Sequence, residues 1–213
     1  LYYSLCKNLV VEKMKLDSIN QYSPAPELLE YQKNQIKLLK IFLNFCRENN
    51  IEYRATAGTL LGIIRHQGFI PWDDDIDLAL DESNIEKIKN NYSKLEEIGL
   101  SIKFVPEKNH LFKPNRSIHQ LYGKQSGSYI DLFEFKKEDG LYFHKYDIQK
   151  LSFCQKEIFT KEEFENTKLY KFENIERLAP SNPYKLLRRL FGNWEELIYE
   201  PNHNFKGKKI FTK

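Results

Sequence analysis

The stretch Pro71-Trp72-Asp73-Asp74-Asp75-Ile76-Asp77-Leu78 sets four acids within five positions beside apolar residues. Continued through Leu80, it alternates polar and apolar side chains, which predicts a strand over residues 75–80. Alternate residues of a strand share a face. Asp73, Asp75 and Asp77 would therefore project together, with Ile76, Leu78 and Leu80 turned into a core. Like charges held side by side are unfavourable, and protonation or a cation must offset them. A divalent cation does so and brings chemistry with it, and oxygen-only ligands favour magnesium or manganese over zinc. A solvated acidic turn is the structural alternative, but Ile76 and Leu78 flank the acids as a buried strand does. A calcium loop needs Gly at its sixth position and Glu at its twelfth, where this chain has Leu78 and Asn84.

Just upstream, Tyr53-Arg54-Ala55-Thr56-Ala57-Gly58-Thr59-Leu60-Leu61-Gly62 reads as strand, tight turn and helix. The strand is expected over residues 51–57 and the helix over 60–66. Gly58 lacks a Cβ, so a ligand can come close to the backbone. The first N–H groups of the helix lack intrahelical acceptors and, with the helix dipole, favour an anion. Gly58 and Thr59 are thus candidate phosphate contacts, the Thr59 hydroxyl offering one more hydrogen bond. Arg65, at the end of this helix, can clamp a phosphate with its guanidinium fork or serve as an ordinary residue near a helix C-terminus. An ordinary structural turn is the alternative for Gly58-Thr59; the acidic strand that follows gives the phosphate reading its weight.

Ser128-Tyr129-Ile130-Asp131-Leu132-Phe133-Glu134-Phe135 sets Asp131 inside an apolar strand. An unpaired buried charge is costly, so Asp131 needs a partner. That partner is either a Lys or Arg, or a shared metal ion, in which case Asp131 doubles as the base that takes a proton from an acceptor hydroxyl. Glu134 would point to the opposite face.

Elsewhere, Leu28, Tyr31, Leu38, Phe42 and Phe45 recur at helical steps and predict a helix over residues 27–49. A helix over 83–95 is expected, with Ser83 and Glu86 as a capping box. Further strands are expected at 100–105 and 128–135, with residues 141–143 pairing back across the turn at 136–140. Residues 106–118 read as a loop, and the part beyond about residue 155 as mainly helical. Alternating helices and strands argue for an α/β or α+β domain. Leu1 is not a methionine, so residues 1–26 are expected to be a linker or the end of a longer chain, ahead of one domain over 27–213.

Lys+Arg minus Asp+Glu is 33 − 30 = +3, which gives no argument for a nucleic-acid partner. Cys6, Cys46 and Cys154 are scattered, with no zinc or disulfide spacing, which points to a reducing, cytoplasmic setting. No apolar run has the ~20 residues a membrane-spanning helix needs. Lys185, Arg188 and Arg189, with Lys206, Lys208, Lys209 and Lys213, suit either a solvated face or peripheral contact with an anionic glycan or the inner membrane face.

The run Gly58-Thr59-Leu60-Leu61-Gly62, then Arg65-His66-Gln67-Gly68-Phe69-Ile70-Pro71-Trp72-Asp73-Asp74-Asp75-Ile76-Asp77, closely resembles the LicD family. Tyr129-Ile130-Asp131-Leu132-Phe133 resembles that family's third-aspartate strand. Pro180-Ser181-Asn182-Pro183-Tyr184, Leu190-Phe191-Gly192-Asn193-Trp194 and Pro201 resemble its closing segment. The resemblance implies an α+β nucleotidyltransferase-like fold, a mixed β-sheet flanked by helices, here with a mainly helical C-terminal segment. It implies magnesium- or manganese-dependent transfer of a phosphocholine-like group from a donor such as CDP-choline to a hydroxyl of a glycan or lipid-linked glycan. The fold's acid-apolar-acid-apolar pattern fits Asp75-Ile76-Asp77-Leu78, which assigns the metal to Asp75, Asp77 and Asp131 and leaves Asp73 accessory. Open alternatives are a nucleotidyltransferase attacking the nucleoside-bearing phosphate, an Asp-x-Asp glycosyltransferase, and a non-catalytic nucleotide- or glycan-binding module of a larger synthase.

Overall fold

The computed structural model describes residues 25–104, 118–124, 126–145, 157–195, 204–205 and 208–209. The expected segment 1–26 and loop 106–118 lie almost wholly outside the described residues, as do Cys6 and Cys154. Helix α1 (Pro26–Glu48) leads into β1 (Arg54–Ala55), α2 (Ala57–Arg65), β2 (Asp77–Asp81), α3 (Glu82–Asn90), α4 (Tyr92–Glu97) and β3 (Leu100–Lys103). Then come β4 (His119–Gly123), β5 (Tyr129–Glu138), β6 (Leu141–His144), β7 (Phe159–Thr160), α5 (Lys161–Glu165), β8 (Thr167–Phe172), β9 (Ile175–Pro180) and α6 (Tyr184–Phe191). A short pair, β10 (Asn204–Phe205) and β11 (Lys208–Lys209), follows. The architecture is α+β, built on a mixed sheet ordered β1-β2-β5-β4-β3, with β6 paired to β5 and β7 to β6.

The pairing of β2 with β5 is parallel and the other pairings of this sheet are antiparallel. Parallel neighbours need a crossover, which α3, α4, β3 and β4 supply. Leu78, Ala79 and Leu80 are all fully buried, so β2 is covered on both faces as a central strand. Each such Leu or Ile contributes roughly 1.5–3 kcal/mol by leaving water. On α1, Leu28, Leu38, Leu39, Phe42 and Phe45 form the buried stripe. Gln32 and Gln35 interrupt it, yet both are buried.

Several boundaries differ from expectation. The strand β2 begins at Asp77, not at residue 75, and the acids before it sit in an irregular approach to the strand. Strand β1 holds only Arg54 and Ala55, because the Glu52 N–H goes to the Asn84 side chain at 2.8 Å rather than into the sheet. The helix expected over 83–95 is two helices, and its N-cap is Asp81, whose carboxylate accepts the Asn84 N–H at 2.9 Å. Ser83 instead donates to Asp81 at 2.7 Å. Strand β4 was not anticipated. The expectation of a mainly helical C-terminal segment is corrected: residues 167–180 form an antiparallel hairpin. Its outward Lys168, Leu169 and Lys171 blur the alternation a half-buried strand would show.

Candidate functional site

The site is assembled where β2, β5, α2 and the acidic approach meet. Asp77 opens β2 and is the register partner of Asp131 on β5. The Asp131 N–H donates to the Ile76 carbonyl at 2.8 Å, which extends the pairing and fixes the register. The Asp77 N–H donates to the Thr59 hydroxyl at 2.8 Å. Thr59 therefore ties α2 to β2; the structure gives its buried oxygen an acceptor role within the fold, where the sequence suggested a donor to phosphate. Carboxylate oxygens of Asp75, Asp77 and Asp131 lie within 4.8 Å of one another. So do those of Asp73, Asp74 and Asp75, making Asp75 common to both groups.

The electrostatics bear out the cost of this crowding. Burial, first, and then the charges of Asp75, Asp73, Asp131 and Glu157 push the Asp77 carboxyl well above the usual carboxylate range. Burial and the neighbouring Asp75 and Asp74 do the same to Asp73. Hard, anionic oxygen ligands converging without room to separate are the donor set that magnesium or manganese accepts. The residues present therefore fit such an ion on their own chemistry.

Gly58 lies against the acids. A Cβ built there would meet Asp73 Oδ2 at 2.9 Å and Asp77 Oδ2 at 3.5 Å. The close approach that glycine permits is thus taken by carboxylates at the first turn of α2. That turn's unsatisfied N–H groups and the helix dipole favour negative charge there. Arg65 is 4 % exposed and donates to the Trp194 carbonyl at 3.3 Å. Burial pulls its guanidinium down to about 10, with Asp73 acting in the opposite sense. The structure thus places Arg65 inside the fold, facing the site through Asp73.

Four further residues were not singled out by sequence reasoning. Gln32 donates to the Asp73 carbonyl and Gln35 to the Asp74 carbonyl, each at 2.8 Å. Two amides in the apolar stripe of a helix are the signal that could have revealed them. Gln120 Nε2 donates to Asp131 Oδ1 at 2.9 Å. Glu157 is fully buried, accepts a hydrogen bond from the Thr56 hydroxyl and pairs with His144 at 2.7 Å. It stands alone in sequence before Ile158-Phe159, with no local pattern to mark it. Glu134, as expected, faces away from Asp131 and is held by His119 and Lys145, each at 2.8 Å.

Of the basic residues near the C-terminus, Arg188 is paired with Glu195 at 2.6 Å and Arg189 with Glu163 at 2.6 Å. The terminal lysine side chains lie outside the described residues. Among the described residues, no helix is long and apolar enough to cross a membrane.

The chain is similar to known proteins. An uncharacterized protein of Rickettsia typhi is 33% identical over 175 residues, covering 79% of this chain and 49% of the relative. An uncharacterized protein of Rickettsia prowazekii is 29% identical over 171 residues, covering 78% of this chain and 58% of the relative. The lipopolysaccharide cholinephosphotransferase LicD of Haemophilus influenzae is 29% identical over 114 residues, covering 50% of this chain and 43% of the relative. The chain spans about half the length of these curated relatives. The family model described as LicD/FKTN/FKRP, nucleotidyltransferase domain, matches residues 50–182, a span that holds Gly58, Thr59 and every acid of the site. With more than half of its length matched by that model, the chain belongs to the LicD family.

Proposed function

We propose that this chain is a transferase that moves a phosphate-bearing alcohol, phosphocholine-like, from a CDP-linked donor to a hydroxyl of a cell-surface glycan. The observation that carries the reading is the convergence within 4.8 Å of Asp77 on β2, Asp131 on the neighbouring β5, and Asp75 from the segment that leads into β2. Membership of the LicD family supports it, as does likeness to a protein named as a lipopolysaccharide cholinephosphotransferase.

Asp75, Asp77 and Asp131 would hold magnesium or manganese, which when bound supplies charge neutralisation for the donor diphosphate and for the departing nucleotide. Asp131 accepts the proton of the acceptor hydroxyl. The freed oxygen forms a bond to the phosphorus that carries the transferred alcohol. The bond from that phosphorus to the nucleoside monophosphate oxygen breaks, and the monophosphate leaves with the electron pair. The first turn of α2 at Gly58 and Thr59 offers backbone N–H groups to the donor phosphates. Arg65 adds positive charge from behind Asp73. In this reading the reaction takes place in the cytoplasm, with the inner membrane face as the place where a lipid-linked acceptor would be met.

The test is a screen of CDP- and UDP-linked donors with magnesium, reading the nucleotide released. Nucleoside monophosphate is the expected product. Pyrophosphate release would move the attack to the nucleoside-bearing phosphorus and make the chain a nucleotidyltransferase. Donor and magnesium binding without turnover would leave a binding module.

A further inference from the structure

The acidic site continues sideways across the sheet. Asp77 on β2, Asp131 on β5, Gln120 on β4 and Lys103 on β3 are successive register partners. Residues directly opposite one another share a face, so these four form one transverse row. Tyr122 lies two residues beyond Gln120 on the same face and is the register partner of Tyr129. The row is joined by hydrogen bonds as well as by register. The Tyr122 hydroxyl donates to Gln120 Oε1 at 2.5 Å, and Gln120 Nε2 donates to Asp131 Oδ1 at 2.9 Å. Lys103 Nζ sits 4.6 Å from the centre of the Tyr122 ring, a cation–π distance.

This chain of bonds has a direction. An ionised carboxylate only accepts, so the amide must turn its NH2 group toward Asp131. Its carbonyl oxygen then faces Tyr122, whose hydroxyl is free to donate. Without that hydroxyl the amide can rotate and set oxygen against oxygen. A carboxylate with one oxygen held cannot swing about its terminal torsion, which is otherwise broad.

We propose that Gln120 and Tyr122 are positioning residues for the metal centre. Gln120 takes up one oxygen of Asp131 and stops the carboxylate turning, so its remaining lone pairs stay aimed at the space shared with Asp75 and Asp77. Tyr122 locks the amide that does this, and Lys103 steadies the tyrosine ring. The proposal rests on the metal-site reading above, and it assigns to β4 a task that the three acids alone do not reveal.

The probe is Mn2+, titrated into wild type, Gln120→Leu and Tyr122→Phe, with free Mn2+ read by its paramagnetic resonance signal and folding checked by thermal melting. Loss of such an outer partner typically weakens metal affinity about tenfold to a hundredfold, which is the effect expected for Gln120→Leu. Tyr122→Phe removes one oxygen and one hydrogen bond, and should weaken Mn2+ by about three- to tenfold. A residue with only a structural part would lower the melting temperature and leave the Mn2+ affinity alone. Mn2+ affinities within twofold of wild type in both folded variants would overturn the positioning role. Should Gln120→Leu fail to fold, Tyr122→Phe decides the matter alone. Absence of Mn2+ binding by wild type itself would instead take down the metal site and this proposal with it.

Discussion

Asp77 and Asp131 face one another in parallel register across β2 and β5, each with its backbone N–H already committed, to Thr59 and to Ile76 respectively. Neither main chain can shift to relieve the repulsion between the side chains. The sheet therefore holds two carboxylates side by side, with Asp75 closing the group from the irregular approach to β2. Like charges at this spacing call for a compensating charge, and Asp77 also carries the cost of burial.

Replacing Asp77 by Asn keeps its shape and removes one of the crowded charges. Transfer should fall by at least the order of 10²–10³-fold that follows loss of one charge-stabilising group in an active site. The metal-free protein should melt at the same temperature or higher, since a desolvated charge is gone. Thermal melts with and without magnesium, alongside donor turnover, check both. Magnesium-dependent turnover near the wild-type rate would remove Asp77 from the metal centre.

The raised carboxyls of Asp73 and Asp77 also predict a pH dependence. In the unfolded chain these groups release their protons in the ordinary carboxylate range, and in the folded chain only at higher pH. Between the two, the folded state binds more protons, so stability falls as pH rises through that window. A divalent cation offsets the loss by stabilising the ionised folded form. Magnesium or manganese should therefore raise the melting temperature at pH 7 clearly more than at pH 5. An equal shift at both would show that the ion binds elsewhere.

The parts of this fold with a local signal were legible in the sequence. The apolar stripe of α1 and the acid inside β5 express a pattern that neighbouring residues fix, whereas Gly58 and Thr59, read as a turn ahead of a helix over 60–66, lie inside the first turn of α2, which starts at Ala57. The meeting of Asp131 with Asp75 and Asp77 could be argued because an isolated buried charge demands a partner. What could not be read depends on residues distant in sequence. Gln35 reaches Asp74 across 39 positions and Glu157 reaches Thr56 across 101. The hairpin at 167–180 was read as helix and loop because its exposed strand carries Leu169, 58 % exposed, where alternation would place a polar residue. Arg65 was read as a phosphate clamp or an ordinary helix-end residue, and its burial, with a hydrogen bond to the carbonyl of Trp194 129 positions away, had no local signal.

Gly58→Ala sets two effects against each other. Within a helix, alanine is favoured over glycine by about 1 kcal/mol. The new Cβ, however, would lie 2.9 Å from Asp73 Oδ2, and the end of that side chain must move. A flexible carboxylate can move cheaply, so global stability should change by less than about 1 kcal/mol. The acidic group loses its arrangement, and Mn2+ affinity should fall. Denaturant melts and Mn2+ titration separate the two effects. Unchanged Mn2+ binding would mean that the site tolerates a displaced Asp73 and that Gly58 serves only the turn.

The hairpin turn between β8 and β9 grips the loop that leads to the acids, and Glu173 is the residue that does it. Its N–H donates to the Gln67 carbonyl at 2.8 Å, and its Oε1 accepts the Phe69 N–H at 3.1 Å. Phe172 meets Phe69 edge-on, with ring centres 5.0 Å apart. Gly68 lies so near that a Cβ there would fall 2.2 Å from Glu173 Oε1. Arg177 is fully buried over the Phe172 ring; burial pulls its guanidinium down to about 9, with Tyr53 and Glu173 acting in the opposite sense and Glu173 supplying the negative charge. Glu173→Ala leaves the Phe69 N–H without its acceptor, at about 1–3 kcal/mol, and weakens the field that stabilises Arg177. Glu173→Gln keeps an acceptor in place and should cost less than half as much. The loop from Gln67 to Asp73 then loses its anchor in the first variant and keeps it in the second. Amide hydrogen exchange should accordingly rise at Phe69 and Ile70 in Glu173→Ala, with Mn2+ affinity falling in step. Equal destabilisation by both substitutions would assign the effect to lost charge at Arg177 rather than to the clamp.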